Sequence, residues 1–508
     1  MPFVIKAAIF SVAWQSLYAT TLAQGGSWSA VIDFPIIPAA AYVVPEYPSA
    51  SRLMFFSAWS PNSFGQWRGF TQFAEYNFMT GEVSQREVSE TKHDMFCPGM
   101  NSLADGRLII TGGSNAEKTT LYDPRSNTFA SGPDMRIPRG YQSSTILSNG
   151  KVFTIGGSWS GMEGGKTGEI YDPAANTWTI LPGAAVEPML TMDNSGIFHA
   201  DNHPWLFPWR NGSVFQAGPS KAMHWYFTDG EGGVTPAGIR DSANDAMCGV
   251  NVMYDVGKIF TAGGANSYGD VPGLSVAHLI DIDKVGAPAV VEKLPNMKYK
   301  RAFANVVALP DGKILVSGGQ QWAKGFTDRE PVFAPELFDP ATKTFTELSP
   351  EAIPRNYHSV SILLADGRVF SGGGGLCYDN GTGAISAKCR NTVDHPNGQI
   401  FTPPYLLTNA SRPVISNLVA STVAPGGQLR LSMEGSTKGV RFSLIRIGSV
   451  THSINTDQRR VPLSPSVVGG EVVLPILADR GVMLPGAWYL FAVSAQGVPS
   501  IARTVYIR

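Results

Sequence analysis

Eight histidines and four cysteines are the side chains of this 508-residue chain best suited to holding a metal or cross-linking. No histidine pair has His-x-His or His-Glu-x-x-His spacing, so the sequence contains no local metal-binding motif. A metal site would have to draw its ligands from distant segments that the fold brings together. Cys97 stands in TKHDMFCPG, Tyr141 in RGYQSS, Tyr357 and His358 in RNYHS, and His452 in THSINTDQRR. Taken singly, each has an ordinary reading: a buried thiol, core tyrosines bonded through their hydroxyls, hydrogen-bonded structural histidines. Spacing alone therefore leaves a binding platform and an enzyme both open.

Whatever positions these residues is built from short repeated strands. A strand that starts near a basic residue and ends in small residues recurs as RLMFFSA from Arg52, RLIITGG from Arg107, KVFTIGG from Lys151 and SVFQAGP from Ser213. It returns as KIFTAGG from Lys258, KILVSGG from Lys313 and RVFSGGG from Arg368. The spacing of 44 to 62 residues fits one four-stranded sheet with its turns. A second element, LYDPRSNTF at 121–129, IYDPAANTW at 170–178 and LFDPATKTF at 337–345, describes a strand, an Asp-Pro turn and a returning strand. These units resemble kelch repeats, and seven of them predict a seven-bladed β-propeller. A solenoid would need tighter periodicity and capping ends. From about Pro413 the pattern changes to GQLRLSM, VRFSLIRI, GEVVLPIL and AWYLFAVS, strands of alternating polarity that predict an immunoglobulin-like β-sandwich. The expected organisation is all-β, with an export signal over 1–23, a propeller over 24–402, and a sandwich over 403–508 that supplies His452.

The export signal is read from Lys6, the apolar stretch Ala7–Ala13 and the small residues that end in Thr-Leu-Ala at 21–23. No later segment offers the ~20 uninterrupted apolar residues of a membrane span. Asn211, Asn380 and Asn409 begin Asn-x-Ser/Thr tripeptides that suit glycosylation of a secreted chain. With 39 basic and 40 acidic residues and no Lys/Arg run, nucleic acid is an unsuited partner.

The strings around Cys97, Tyr141, Tyr357 and His452, together with GGSWSG at 156–161, resemble the galactose oxidase family in content and order, from about Trp28 to the C-terminus. The resemblance implies a copper ion held by Tyr141, Tyr357, His358 and His452. It implies a thioether between Cys97 and the ring of Tyr141, which would carry a protein radical. Tyr357 would be the base that takes the alcohol proton, and Trp159 the indole stacked over the thioether. The implied reaction takes a small primary alcohol and dioxygen to an aldehyde and hydrogen peroxide, without nucleotide or flavin. Two carriers are needed because alcohol oxidation releases two electrons and copper takes one; imidazole suits copper. Cys377 and Cys389 flank a short loop and are expected to pair in an exported chain. Cys248 then remains a buried free thiol, and His93, His203, His224, His278 and His395 are read as structural.

Substrate recognition departs from the family pattern. Where the family has an arginine that grips the sugar, this sequence has His199; where it has a glutamine, Gly269. A neutral imidazole offers one donor in place of a five-donor fork. Phe64, Phe303 and Phe326 match apolar pocket positions, and Trp67 adds an aromatic beside Phe64. Aryl, furan or aliphatic alcohols are therefore expected ahead of galactose. A galactose-preferring oxidase, an aldehyde oxidase of the glyoxal type and a silent glycan-binding propeller are the competing readings. The chain is expected to act as a monomer; an extracellular peroxidase would be a fitting partner, although no residue shows it.

Overall fold

The computed structural model describes residues 25–65, 68–379 and 394–508. The expected export signal, Trp67, Asn380 and Cys389 lie outside them. Among the described residues no helix is long and apolar enough to cross a membrane.

Seven antiparallel sheets of four or five strands form the propeller. Blade one begins with Ala40–Val43; the inner strands of blades two to seven are Gly99–Ser102, Ser143–Ile146, Leu206–Pro208, Val250–Asp255, Ala302–Ala308 and Ser359–Leu363. In blade seven the outermost strand is Ser27–Trp28, paired with Asn397–Thr402, so the start of the described chain closes the ring on its last blade. The repeat signals act as expected. Asp123, Asp172 and Asp339 each accept a backbone N–H two residues on, at 2.9 Å, and so shape the outer hairpins.

The paired glycines seat one blade against the next. A Cβ on Gly156 would lie 2.2 Å from the Asp201 carbonyl, which explains why only glycine fits there. Buried arginines complete the joints: Arg139, Arg301 and Arg355 donate to the carbonyls of Gly156, Gly318 and Gly373 at 3.0, 2.7 and 3.0 Å. Each also meets a buried glutamate, Glu169, Glu336 or Glu351.

The C-terminal unit is a sandwich of one four-stranded and one five-stranded sheet. Its expected strands appear as Gln428–Glu434, Arg441–Arg446, Glu471–Pro475 and Gly486–Val493. One short strand, Ser449–Thr451, leaves it and pairs with Ala40–Val43 on the inner edge of blade one. The segment after it crosses the propeller interior. Thr456 donates to the Ser144 carbonyl at 2.6 Å, Gln458 accepts from the Ala308 N–H at 2.8 Å, and Arg459 donates to the Pro208 carbonyl at 2.9 Å.

Asp457 anchors that crossing. Its carboxylate accepts from the Ser102 N–H at 2.9 Å, the Ser449 hydroxyl at 2.7 Å and the Arg446 guanidinium, with both ionic side chains fully buried. Asp457→Ala would leave the Arg446 charge buried and unpaired, so unfolding stability should fall by about 3–5 kcal/mol. Urea denaturation checks this.

Candidate metal centre

The inner strands do more than pack. Within three residues of the start of six of them stands a non-glycine residue with left-handed backbone: Cys97 (φ 63°), Tyr141 (67°), His203 (53°), Cys248 (54°), Phe303 (60°) and His358 (68°). None is β-branched, the class for which this conformation is most costly. Such strain costs about 1–3 kcal/mol per residue and persists where the surroundings enforce it. Here backbone hydrogen bonds pass from blade to blade: Tyr141 donates to the Cys97 carbonyl at 3.0 Å, His203 to Tyr141 at 2.9 Å, and Phe303 to Cys248 at 3.0 Å. The sandwich segment contributes His452, also left-handed at 51°.

Among the described residues, one group of His, Cys, Asp or Glu side chains converges as a metal site would. Ligand atoms of Cys97, His358 and His452 lie within 4.8 Å of one another, all buried. Cys97 Sγ is 3.3 Å from His452 Nε2 and in side-chain hydrogen-bond contact with Tyr141. The Tyr141 and Tyr357 hydroxyls are 2.5 Å apart. Four widely separated segments thus meet where the sequence left them apart.

The imidazoles are oriented by their outer nitrogens. His358 Nδ1 lies 2.6 Å from the Gly375 carbonyl, which only accepts, so Nδ1 carries the proton and Nε2 the lone pair. Nε2 is buried with no partner. His452 Nδ1 lies 2.6 Å from Thr451 Oγ1, whose proton goes to the Ala39 carbonyl at 3.0 Å. The hydroxyl must therefore accept from Nδ1, and the His452 lone pair also sits on Nε2. Burial lowers the His358 pKa to about 3 and the His452 pKa well below the usual range, keeping both rings neutral. Two neutral nitrogen donors beside two phenol oxygens, with no carboxylate in the group, fit a copper ion. Burial pushes both phenols well above their ordinary pKa.

Around this group the apolar residues assemble. Phe64 is held by the Ser63–Phe64 strand pairing with Cys377–Tyr378, and its ring lies 5.9 Å from Phe326. Phe326 and Phe303 reach the Tyr357 ring at 5.0 and 5.1 Å. Trp159 meets the Tyr141 ring at 4.7 Å, with the two planes tilted by 50°. His199 lies between Trp159 and Tyr268, 6° and 30° from their planes. Its Nδ1 lies 3.5 Å from Asp193 Oδ1, and neither ring nitrogen makes a hydrogen bond. A Cβ on Gly269 would meet nothing within 4 Å. Cys97 and Cys248 are free and buried, whereas Cys377 is disulfide-bonded. Asn211 and Asn409 are exposed.

Three residues belong to the site that sequence reasoning did not place there. Tyr268 donates to the Tyr357 hydroxyl at 2.9 Å. His203, read as structural, stacks on His452 at 5.4 Å and 17° and lies 3.3 Å from the Tyr268 hydroxyl. Asp193 accepts from the Tyr268 N–H at 2.6 Å; burial alone would raise its pKa, but His199 and the Ser195 and Tyr268 N–H groups hold it below the usual value. The remaining histidines are engaged elsewhere; His93, for example, bonds Thr120 and the Gly112 carbonyl.

The galactose oxidase-like early set domain matches residues 412–507, the glyoxal oxidase N-terminus residues 275–379, and the kelch motif residues 139–183. A galactose oxidase of Gibberella zeae is 46% identical over 495 residues, covering 95% of this chain and 70% of that protein. The aldehyde oxidase GLOX of Vitis pseudoreticulata is 26% identical over 458 residues, covering 82% of each. A solved fungal alcohol oxidase of the AA5 family, in complex with copper, superposes with a TM-score of 0.88 at 44% identity, covering 95% of this chain and 99% of that one.

Proposed function

This chain belongs to the galactose oxidase family of copper radical oxidases, and we propose that it oxidises primary alcohols to aldehydes with reduction of dioxygen to hydrogen peroxide. Tyr141, Tyr357, His358 and His452 hold the metal in this reading, and Cys97 links to Tyr141. The observation that carries it is the pair of inward Nε2 lone pairs, each fixed by a hydrogen bond on Nδ1, beside two tyrosine hydroxyls. A copper ion held there would supply one of the two one-electron acceptors that alcohol oxidation needs, and Tyr141 linked to Cys97 would supply the other.

The protein's own residues do the rest. Tyr357 Oη receives the alcohol proton, and Tyr268 orients that oxygen with its 2.9 Å hydrogen bond. A cation next to the two buried phenols favours their ionised forms, opposing the burial that raises their pKa. Phe64, Phe303 and Phe326 exclude water and present an apolar wall, which suits aryl and aliphatic carbinols. His199 stands where a guanidinium fork would grip sugar hydroxyls, and an imidazole offers no such fork. Trp159 covers the Tyr141 ring. The chain acts as a monomer exported from the cell in this reading.

Peroxide release with galactose, benzyl alcohol, butanol and glyoxal tests the proposal. The expected order places benzyl alcohol or butanol first. The aldehyde-oxidase relative and the glyoxal oxidase match support a second reading, which a faster rate with glyoxal would favour. His199→Arg combined with Gly269→Gln should raise kcat/KM for galactose about tenfold or more, since hydrogen bonds to a charged group contribute roughly 1.5–3 kcal/mol. The space beside Gly269 admits the longer side chain. No gain for galactose would show that other groups set the preference.

A further inference from the structure

Lys166 is a buried ammonium that the proposed reaction does not use. Only 1% of the residue is exposed, and its Nζ reaches two carbonyl oxygens, Pro138 at 2.5 Å and Ser160 at 2.9 Å. Those acceptors lie at telling places. Pro138 is three residues before Tyr141, and Ser160 directly follows Trp159. The two segments are pressed together: Gly140 donates to the Gly157 carbonyl at 3.1 Å, and Gly161 is so close to Pro138 that a Cβ would lie 3.0 Å from its carbonyl. Further charge surrounds the ammonium. Arg139 donates to the Lys166 carbonyl at 2.9 Å and pairs with Glu169, while Asp201 is bound to the Ser158 hydroxyl and N–H. Local charge is thus balanced at two cations and two carboxylates, yet the lysine bonds neither carboxylate.

We propose that Lys166 is a positioning residue that clamps the Trp159 loop onto the Tyr141 segment and so sets how the indole covers the tyrosine that carries the radical. This rests on the reading of Tyr141 as the radical-bearing residue. A lysine can do this because an ammonium donates to several carbonyls at once and charge-assisted bonds are the stronger kind. Methionine has nearly the same length and no donor, so it would fill the space and release the loop. The clamp also has a pH limit. Burial, with Arg139 adding repulsion and Asp201 and Glu169 opposing it, lowers the Lys166 pKa to about 8. The charged donor is therefore present below that pH and lost as pH rises through it.

The test uses K166M, K166R and W159F in the full chain, with two readouts. In metal-free protein, hydrogen exchange of residues 157–165 should be faster in K166M than in wild type at pH 7. That difference should close as pH passes about 8. In the copper-loaded, oxidised protein, the substrate-free half-life of the radical signal should shorten about tenfold in K166M, the scale set by losing one charge-assisted hydrogen bond. K166R should restore most of the half-life, and K166M should add little in the W159F background. An unchanged exchange rate, or faster exchange with an unchanged half-life, overturns the proposal. So does full additivity with W159F. If K166M fails to fold, the wild-type half-life across pH 7 to 9 decides, and a flat profile overturns the clamp. Absence of any radical in wild type would instead overturn the parent reading, and with it this one; the metal-free exchange result keeps the two failures apart.

Discussion

Replacing Tyr357 by phenylalanine is expected to lower kcat/KM for benzyl alcohol by about a thousandfold, within the range by which a positioned general base accelerates reactions. Phenylalanine keeps the ring that packs on Phe303 and Phe326, so the walls of the site should hold. What disappears is one oxygen. That oxygen is 2.5 Å from the Tyr141 hydroxyl and 2.9 Å from the Tyr268 hydroxyl, and all three residues are buried. Removing it leaves two buried hydroxyls short of a partner, which should lower stability by about 1–3 kcal/mol. Steady-state kinetics, thermal melting and copper content separate the outcomes. Copper should remain, because two imidazoles and Tyr141 are untouched. A variant with copper bound and normal kcat/KM would move the base to another residue, with His199 the first to test.

Much of the fold was readable because a propeller repeats its physical devices. The apolar strands recur seven times, and the glycine pairs and Asp-Pro hairpins mark several of those copies. The ring closure was not readable, since Ser27–Trp28 is too short to carry a periodic signal and earns its place by pairing with Phe401 and Thr402. Cys97, Tyr141, Tyr357, His358 and His452 were legible only through long strings of resemblance, because their meeting depends on strands from three blades and one intruding hairpin. His203 and Tyr268 escaped for a different reason. Isolated histidines and tyrosines are usually structural, and nothing beside them in sequence says otherwise. A signal did exist: His203 occupies the same place in its repeat as Cys97, Tyr141 and His358 in theirs. Counting ten residues back from Arg107, Lys151, Ser213, Lys258, Lys313 and Arg368, the starts of the glycine-ended strands, lands on Cys97, Tyr141, His203, Cys248, Phe303 and His358 and would have exposed it.

Cys97→Ser should reduce turnover by at least about a thousandfold while leaving the fold intact. Serine is nearly isosteric with cysteine and can keep the hydrogen-bond contact with Tyr141, so packing gives little reason for loss. The chemistry gives a strong one. Forming a carbon–sulfur bond to the tyrosine ring places a sulfur lone pair in conjugation with it and makes the ring easier to oxidise. Each ~59 mV by which a one-electron potential rises costs tenfold in the oxidised population, so a shift of roughly 180 mV accounts for the expected loss. Intact mass offers an independent check. Because the link replaces one S–H and one ring C–H, with dioxygen as the oxidant, copper treatment should lighten the wild type by two hydrogens relative to the untreated protein and the serine variant by none. Copper binding should persist in the variant, since the two inward imidazoles do not depend on sulfur for their orientation. Full turnover without the cross-link would mean that plain tyrosine suffices as the second electron carrier, and the role assigned to Cys97 would fall.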